Sequence, residues 1–228
     1  MKKLFLALLV ASMCFAGIAR ATSINGKVWA GATAYPSNLT TTAPAGTPTA
    51  TFTVSNTGGS FLNFYSLTDN DLTSFLETGM NGSSNGNTVT YITGGDQSGN
   101  CAGVTTANCG INNDVMEFTG TTWLTNGTTY TVNKDDAAYL KIDGSSVLPL
   151  SSLTDTADTA VTFNWTGTTG SHSFDLLYQE VNGGPGVLET NMTPTPEPSS
   201  LLLLGTGLLG LAFVAFRKAK SSGVVLSM

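Results

Sequence analysis

The chain has 228 residues, with fifteen acidic side chains against nine basic ones and a single histidine, for a net charge of −6. Six of the nine bases lie in the two ends (Lys2, Lys3, Arg20, Arg217, Lys218 and Lys220), so the stretch between them sets three lysines against fourteen carboxylates, about −11, and holds no arginine. That balance excludes a nucleic-acid partner, because phosphate neutralisation needs clustered Lys and Arg. What remains is a soluble anionic body with carboxylates to offer cations.

In chain order, Lys2-Lys3, the apolar run 4–18 and Ala19-Arg20-Ala21 have the charged, apolar and small-residue regions of a secretory signal peptide. Residues 1–21 are therefore read as a leader cleaved after Ala21, and the mature chain as exported. Residues 22–190 suffice for one domain with a real core. Their apolar residues alternate: Phe52 and Val54, Val89 and Tyr91, Tyr130 and Val132, Leu140 and Ile142, Val161, Phe163 and Trp165, and Phe174, Leu176 and Tyr178. Turn signals break these runs at Asn81-Gly82, Asn85-Gly86, Asn126-Gly127, Asp143-Gly144 and Asn182-Gly183. Period-two alternation between such turns predicts an all-β fold, an antiparallel β-sandwich. One short helix is expected within residues 71–79, where Leu72, Phe75 and Leu76 recur at helical spacing after a capping aspartate. Residues 79–88 and 94–112 read as surface excursions, and the chain from 183 to 198 as the last strand followed by a linker.

Two cysteines, Cys101 and Cys109, remain once Cys14 leaves with the leader. So close together in an oxidising compartment they are expected to form a disulfide. The alternative, a metal site, would need more soft ligands than the lone His172 supplies.

At the C-terminal end, a proline-rich linker (191–198) closes on Pro196-Glu197-Pro198. An apolar Leu/Gly-rich run (199–216) and a basic tail (217–228) follow. Eighteen residues at about 1.5 Å each just cross a bilayer core roughly 27–30 Å thick, so 199–216 is expected to be a transmembrane helix with the tail in the cytoplasm. Motif, span and basic end together resemble the PEP-CTERM signal of Gram-negative bacteria that produce exopolysaccharide. The resemblance implies export through the inner membrane, anchoring by the C-terminal helix and cutting near Pro196-Glu197-Pro198 by the protease exosortase. It also implies a final place at the cell surface or in the extracellular matrix.

Inside the body, the stretch Asn133-Lys134-Asp135-Asp136-Ala137-Ala138-Tyr139-Leu140-Lys141-Ile142-Asp143-Gly144 pairs two aspartates ahead of a strand and an Ile-Asp-Gly turn. It resembles the central motif of the protective-antigen-like lectin domain found in flocculins, some glycosidases and fibre-type surface proteins. Residues 170–189 look like that family's closing hairpin. The resemblance implies a β-sandwich in which Asp135 and Asp136, joined by a cis bond, grip calcium and orient sugar hydroxyls, with Asn182 as a further ligand. The chemistry is reasonable, since calcium is a hard cation that takes oxygen donors. Ala137 stands where family members often have glycine. The plain alternative is that Asp135-Asp136 and Asp143-Gly144 only make the turns bounding a strand.

Trp123 is expected to be an exposed stacking platform, Trp165 a core residue and His172 a surface or turn residue. No Gly-x-Ser-x-Gly elbow, His-Glu-x-x-His, phosphate loop or cysteine–histidine pair is present. A non-catalytic surface or matrix protein associated with exopolysaccharide is therefore the first reading. A calcium-dependent carbohydrate-binding module is the second. A two-carboxylate glycosidase is the third.

Overall fold

The computed structural model describes residues 22–32, 39–56, 62–67, 71–94, 111–154, 156–181 and 184–194, together with 206, 207, 209, 210, 212 and 213. The leader, Cys101 and Cys109, Asn182 and Pro196-Glu197-Pro198 lie outside the described residues.

Residues 22–194 form two antiparallel sheets. The larger runs in the order β4 (Asn87–Thr93), β2 (Ala50–Asn56), β1 (Thr22–Trp29), β5 (Asp114–Leu124), β10 (Gly170–Glu180), β7 (Ala137–Ile142) and β8 (Ser145–Ser146). Its eighth strand, β12 (Thr193–Pro194), pairs with the end of β5 at Trp123 and Thr122. The smaller sheet runs β3 (Asn63–Ser66), β11 (Gly186–Thr190), β6 (Thr129–Asp135) and β9 (Thr159–Asn164). The alternating pairs read from the sequence fall within or directly beside these strands, and their apolar members turn to one side. Ile24, Val28, Phe52, Val54, Met116, Phe118, Leu140, Phe174, Leu176 and Tyr178 from the large sheet meet Phe64, Tyr130, Val132, Phe163 and Leu188 from the small one in one core. Phe52 lies across Gly26 of the neighbouring strand, where an added Cβ would come within 2.1 Å of the ring.

The short helix is present as α1 (Leu72–Glu77). Asp71 caps it by accepting the Ser74 N–H, and Leu72, Phe75 and Leu76 are buried. Phe75 stacks on Tyr178 at 5.5 Å. A second, smaller apolar cluster covers the outer side of the large sheet, where Val115, Ala137, Tyr139 and Leu177 pack with Leu39 and Leu153. Leu153 belongs to a 3-10 turn over Leu150–Leu153, and its carbonyl accepts the Leu39 N–H at 2.9 Å.

Several expectations need correction. Residues 170–189 do not form a hairpin, because β10 lies in the large sheet and β11 in the small one; the link through Pro185 crosses between layers. Strand pairing continues through Pro194, inside the segment read as linker. His172 lies within β10 rather than in a turn, and it is buried. Among the described residues no helix is long and apolar enough to cross a membrane, so the spanning helix expected over 199–216 is not shown. The described residues of that run (Thr206, Gly207, Leu209, Gly210, Ala212 and Phe213) are helical.

The sandwich has two poles. At the first lie Asp114, which opens β5, its register partner Glu180, which closes β10, and two of the connections that cross between the sheets, β6 to β7 and β10 to β11. At the second lie Leu124, Gly170, the start of β1 and the β12 pairing.

Candidate functional site

At the first pole β6 ends in the small sheet at Asp135 and β7 begins in the large sheet at Ala137, so the chain changes layers across Asp135-Asp136. The peptide bond between the two aspartates is cis. The return crossing, from Glu180 to Gly186, runs beside it, with Gln179 in register with Ala137 and Val187 with Asp135. Two crossings packed side by side bury the pair: Asp135 is 8% and Asp136 4% exposed.

Each aspartate is held by named groups. Asp136 Oδ2 accepts the Val181 N–H at 2.6 Å, and the Asp136 N–H donates to the Gln179 carbonyl at 3.3 Å. The Tyr178 hydroxyl, fully buried, donates to the Asp135 carbonyl or to Glu180 Oε2 (2.7 Å) and accepts the Val187 N–H (3.1 Å). Lys134 is 1% exposed, and its ammonium donates to the Asp136 carbonyl (2.7 Å), Thr156 Oγ1 (2.7 Å) and the Thr154 carbonyl (3.3 Å). Three N–H donors thus meet three oxygens, which is how a buried ammonium is accommodated. The corner is a frame that holds the Asp135 carbonyl and sets the direction of the Asp136 carboxylate.

The donor set is hard oxygen, which suits calcium rather than a soft metal. Among the described residues no three His, Cys, Asp or Glu side chains group closely enough to hold a metal ion. A cation at Asp135 and Asp136 would therefore complete its shell from carbonyl and amide oxygens. Asn182, the further ligand expected from the sequence, lies outside the described residues.

Asp114 at the same pole is 1% exposed. Its Oδ1 accepts the Gly31 N–H at 2.8 Å, whereas Oδ2 is buried with no hydrogen-bond partner. Burial pushes its pKa up to about 7, against the smaller opposing effect of the Gly31 bond.

The second pole holds a different titratable pair. His172 Nδ1 lies 2.6 Å from Asp143 Oδ2 and Nε2 lies 2.9 Å from the Thr168 carbonyl. Both partners accept, so both ring nitrogens must carry hydrogen for both bonds to form, which selects the imidazolium. The bond to Asp143 raises the His172 pKa, and the same bond, helped by the Ser173 N–H, lowers that of Asp143. The histidine's contribution to stability is complete below pH 6.5 and is lost as pH rises through its raised folded value. The aspartate's contribution is complete above pH 3.8 and is lost as pH falls through its depressed one. Trp165, half-buried, meets the His172 ring edge-on at 4.7 Å. Trp123 is 38% exposed on the neighbouring strand, opposite Ser171.

Sequence reasoning missed Lys134, Tyr178 and Glu180 as supports of the pair, and it missed Asp114. All four continue the inward phase of an alternating apolar run, which was the available signal.

With this geometry described, comparisons with known proteins give two findings. Residues 194–218 match the PEP-CTERM protein-sorting motif, and the chain carries that motif. Among solved structures, the chain is similar to a PA14 sugar-binding domain from an RTX adhesin, at 18% identity and a TM-score of 0.47 over 76% of this chain and 90% of that one. It is similar to the PA14 domain of the MpAFP antifreeze protein, at 16% identity and a TM-score of 0.41 over 78% and 83%. A GH31 alpha-xylosidase from Xanthomonas citri follows at 14% identity and a TM-score of 0.24, over 67% of this chain and 17% of the enzyme. No curated protein matches the chain.

Proposed function

We propose that this is an exported, non-catalytic protein that exosortase sorts through its C-terminal motif to the cell surface or exopolysaccharide matrix of a Gram-negative bacterium. The observation that carries this reading is the sorting motif over residues 194–218. The anionic, arginine-free body and the leader-like first 21 residues agree with it. In the native host, replacing Pro196, Glu197 and Pro198 together with alanine leaves the protein at full mass in the membrane fraction. The unaltered chain is recovered, shortened, from the surface or matrix fraction. Identical mass and fractionation for the two would rule the reading out.

A second reading, calcium-dependent carbohydrate binding, rests on the buried Asp135-Asp136 corner with its Asp136 carboxylate aimed by the Val181 N–H. In it Asp135 and Asp136 supply charged oxygens to calcium, Asn182 an amide oxygen, and the bound ion orients sugar hydroxyls. Calorimetric titration of the purified protein with calcium tests it. Asp136→Asn, which keeps the shape and removes the charge, weakens calcium at least about tenfold, the cost of one charge-assisted contact. An unchanged affinity, or no calcium binding by the unaltered protein, counts against it.

A further inference from the structure

The outer face of the small sheet carries a polar depression that neither the sorting motif nor the Asp135-Asp136 corner uses. Register places Asn133 of β6 opposite Glu189 of β11. Alternation turns Val132 and Leu188 into the core, so Thr131, Asn133 and Glu189 face away from it. Together with Thr190 and Asn191 these residues line a hollow of about 210 Å³.

Two hydrogen bonds fix what the hollow displays. The Thr131 N–H donates to Asn191 Oδ1 at 2.8 Å, so the Asn191 carboxamide presents its NH2. Asn133 Nδ2 donates to Glu189 Oε2 at 3.0 Å, which leaves Asn133 Oδ1 and Glu189 Oε1 as acceptors. Thr190 follows Leu188 in the alternation and is 2% exposed, so its hydroxyl, which accepts the Met192 N–H at 3.0 Å, turns inward rather than into the hollow. Donors and acceptors therefore alternate around a small space whose orientation is set by protein groups rather than by solvent.

This pattern discriminates between ligands. The Glu189 carboxylate repels an anion. One carboxylate among amides and hydroxyls is too little charge for a divalent cation, and a purely apolar group would leave the Glu189 carboxylate and two carboxamides without a partner. Adjacent hydroxyls on a sugar ring each give one hydrogen and accept another, and a carboxylate beside carboxamides answers both demands. The volume lies below the roughly 300–1,000 Å³ of sites for drug-sized ligands, which leaves room for one ring and not for an oligosaccharide.

We propose that this hollow is a metal-independent saccharide subsite that holds one uncharged sugar ring by its vicinal hydroxyls. It requires neither calcium nor Asp135 and Asp136. A weak site of this kind becomes effective on a polymer, where many copies engage one chain.

The test is a nitrogen-15 NMR titration of the protein, in excess chelator, with the methyl glycosides of glucose, galactose, mannose and N-acetylglucosamine. At least one sugar shifts the Asn133 and Asn191 side-chain NH2 signals and the Thr131 amide, saturably and at millimolar concentration. Glu189→Gln, which preserves size and leaves the rest of the spectrum in place, weakens that binding at least about tenfold. Asp136→Asn leaves it unchanged. Absence of saturable shifts with all four sugars, equal binding by Glu189→Gln, or loss of binding in Asp136→Asn would each overturn the proposal, and the last would place the sugar at the aspartate corner instead.

Discussion

Replacing Asp114 with asparagine flattens the pH dependence of stability between about pH 4 and 7. The sign follows from the direction of the shift. In the unfolded chain this aspartate loses its proton near the ordinary value of 3.8, whereas in the folded protein burial holds the proton on until about pH 7. Between those values the unfolded state gives up a proton that the folded state keeps, so stability falls as pH rises. Three pKa units at about 1.4 kcal/mol each make the loss on the order of 4 kcal/mol. Glu180, in register across from it, is fully buried at the same pole. Asparagine still accepts the Gly31 N–H but has no proton to lose. Denaturant unfolding at several pH values is the measurement, and the gap between variant and parent should widen in the variant's favour up to about pH 7. Parallel curves would mean that Asp114 ionises normally.

The second large effect is expected at Lys134. Methionine in its place keeps the length and volume of the stem but removes an ammonium that satisfies two carbonyls and a hydroxyl in a place 1% exposed. Unsatisfied buried acceptors cost about 1–3 kcal/mol each, partly relieved by relaxation, so unfolding stability drops on the order of 3–5 kcal/mol. Arginine does not rescue it, because a planar five-donor fork does not fit a pocket made for three converging oxygens. A loss below about 1 kcal/mol would show that the frame around Asp136 stands without the lysine. The same substitution removes the 2.7 Å bond to the Asp136 carbonyl and leaves it the longer 3.4 Å bond from Thr156 Oγ1, so the Asp136 and Val181 amide signals should broaden before any global unfolding.

The strands and the helix were legible because their signals are local. Phe52 with Val54, or Tyr130 with Val132, need only a period of two and a nearby Asn-Gly turn, and α1 needs only Leu72, Phe75 and Leu76 behind a capping Asp71. The assignment of strands to sheets was not legible. β10 and β11 follow one another like the arms of a hairpin, and only the three-dimensional crossing at Pro185 separates them into different layers. The aspartate pair stood out in the sequence, but its supports did not, because a lysine beside two acids reads as a solvated surface charge. The phase of alternation carried the missing information. Lys134 continues Tyr130 and Val132, Glu180 continues Phe174, Leu176 and Tyr178, Asp114 precedes Met116 and Phe118, and His172 precedes Phe174. A charged side chain that keeps step with inward-facing neighbours is buried whatever its own preference, and it must then find partners or shift its pKa.

The pairing of β12 beside the start of β1, both along the far end of β5, fixes where the two ends of the described body lie. Thr22 and Pro194 thus lie at one pole, and Asp135-Asp136 at the other. From Trp123 back to Asp114 is nine steps along β5, about 30 Å at roughly 3.4 Å per residue. The aspartate corner therefore lies about one strand length from Pro194. Any ligand held at the aspartate corner would sit about 30 Å from the point where Pro194 leads on toward the sorting motif.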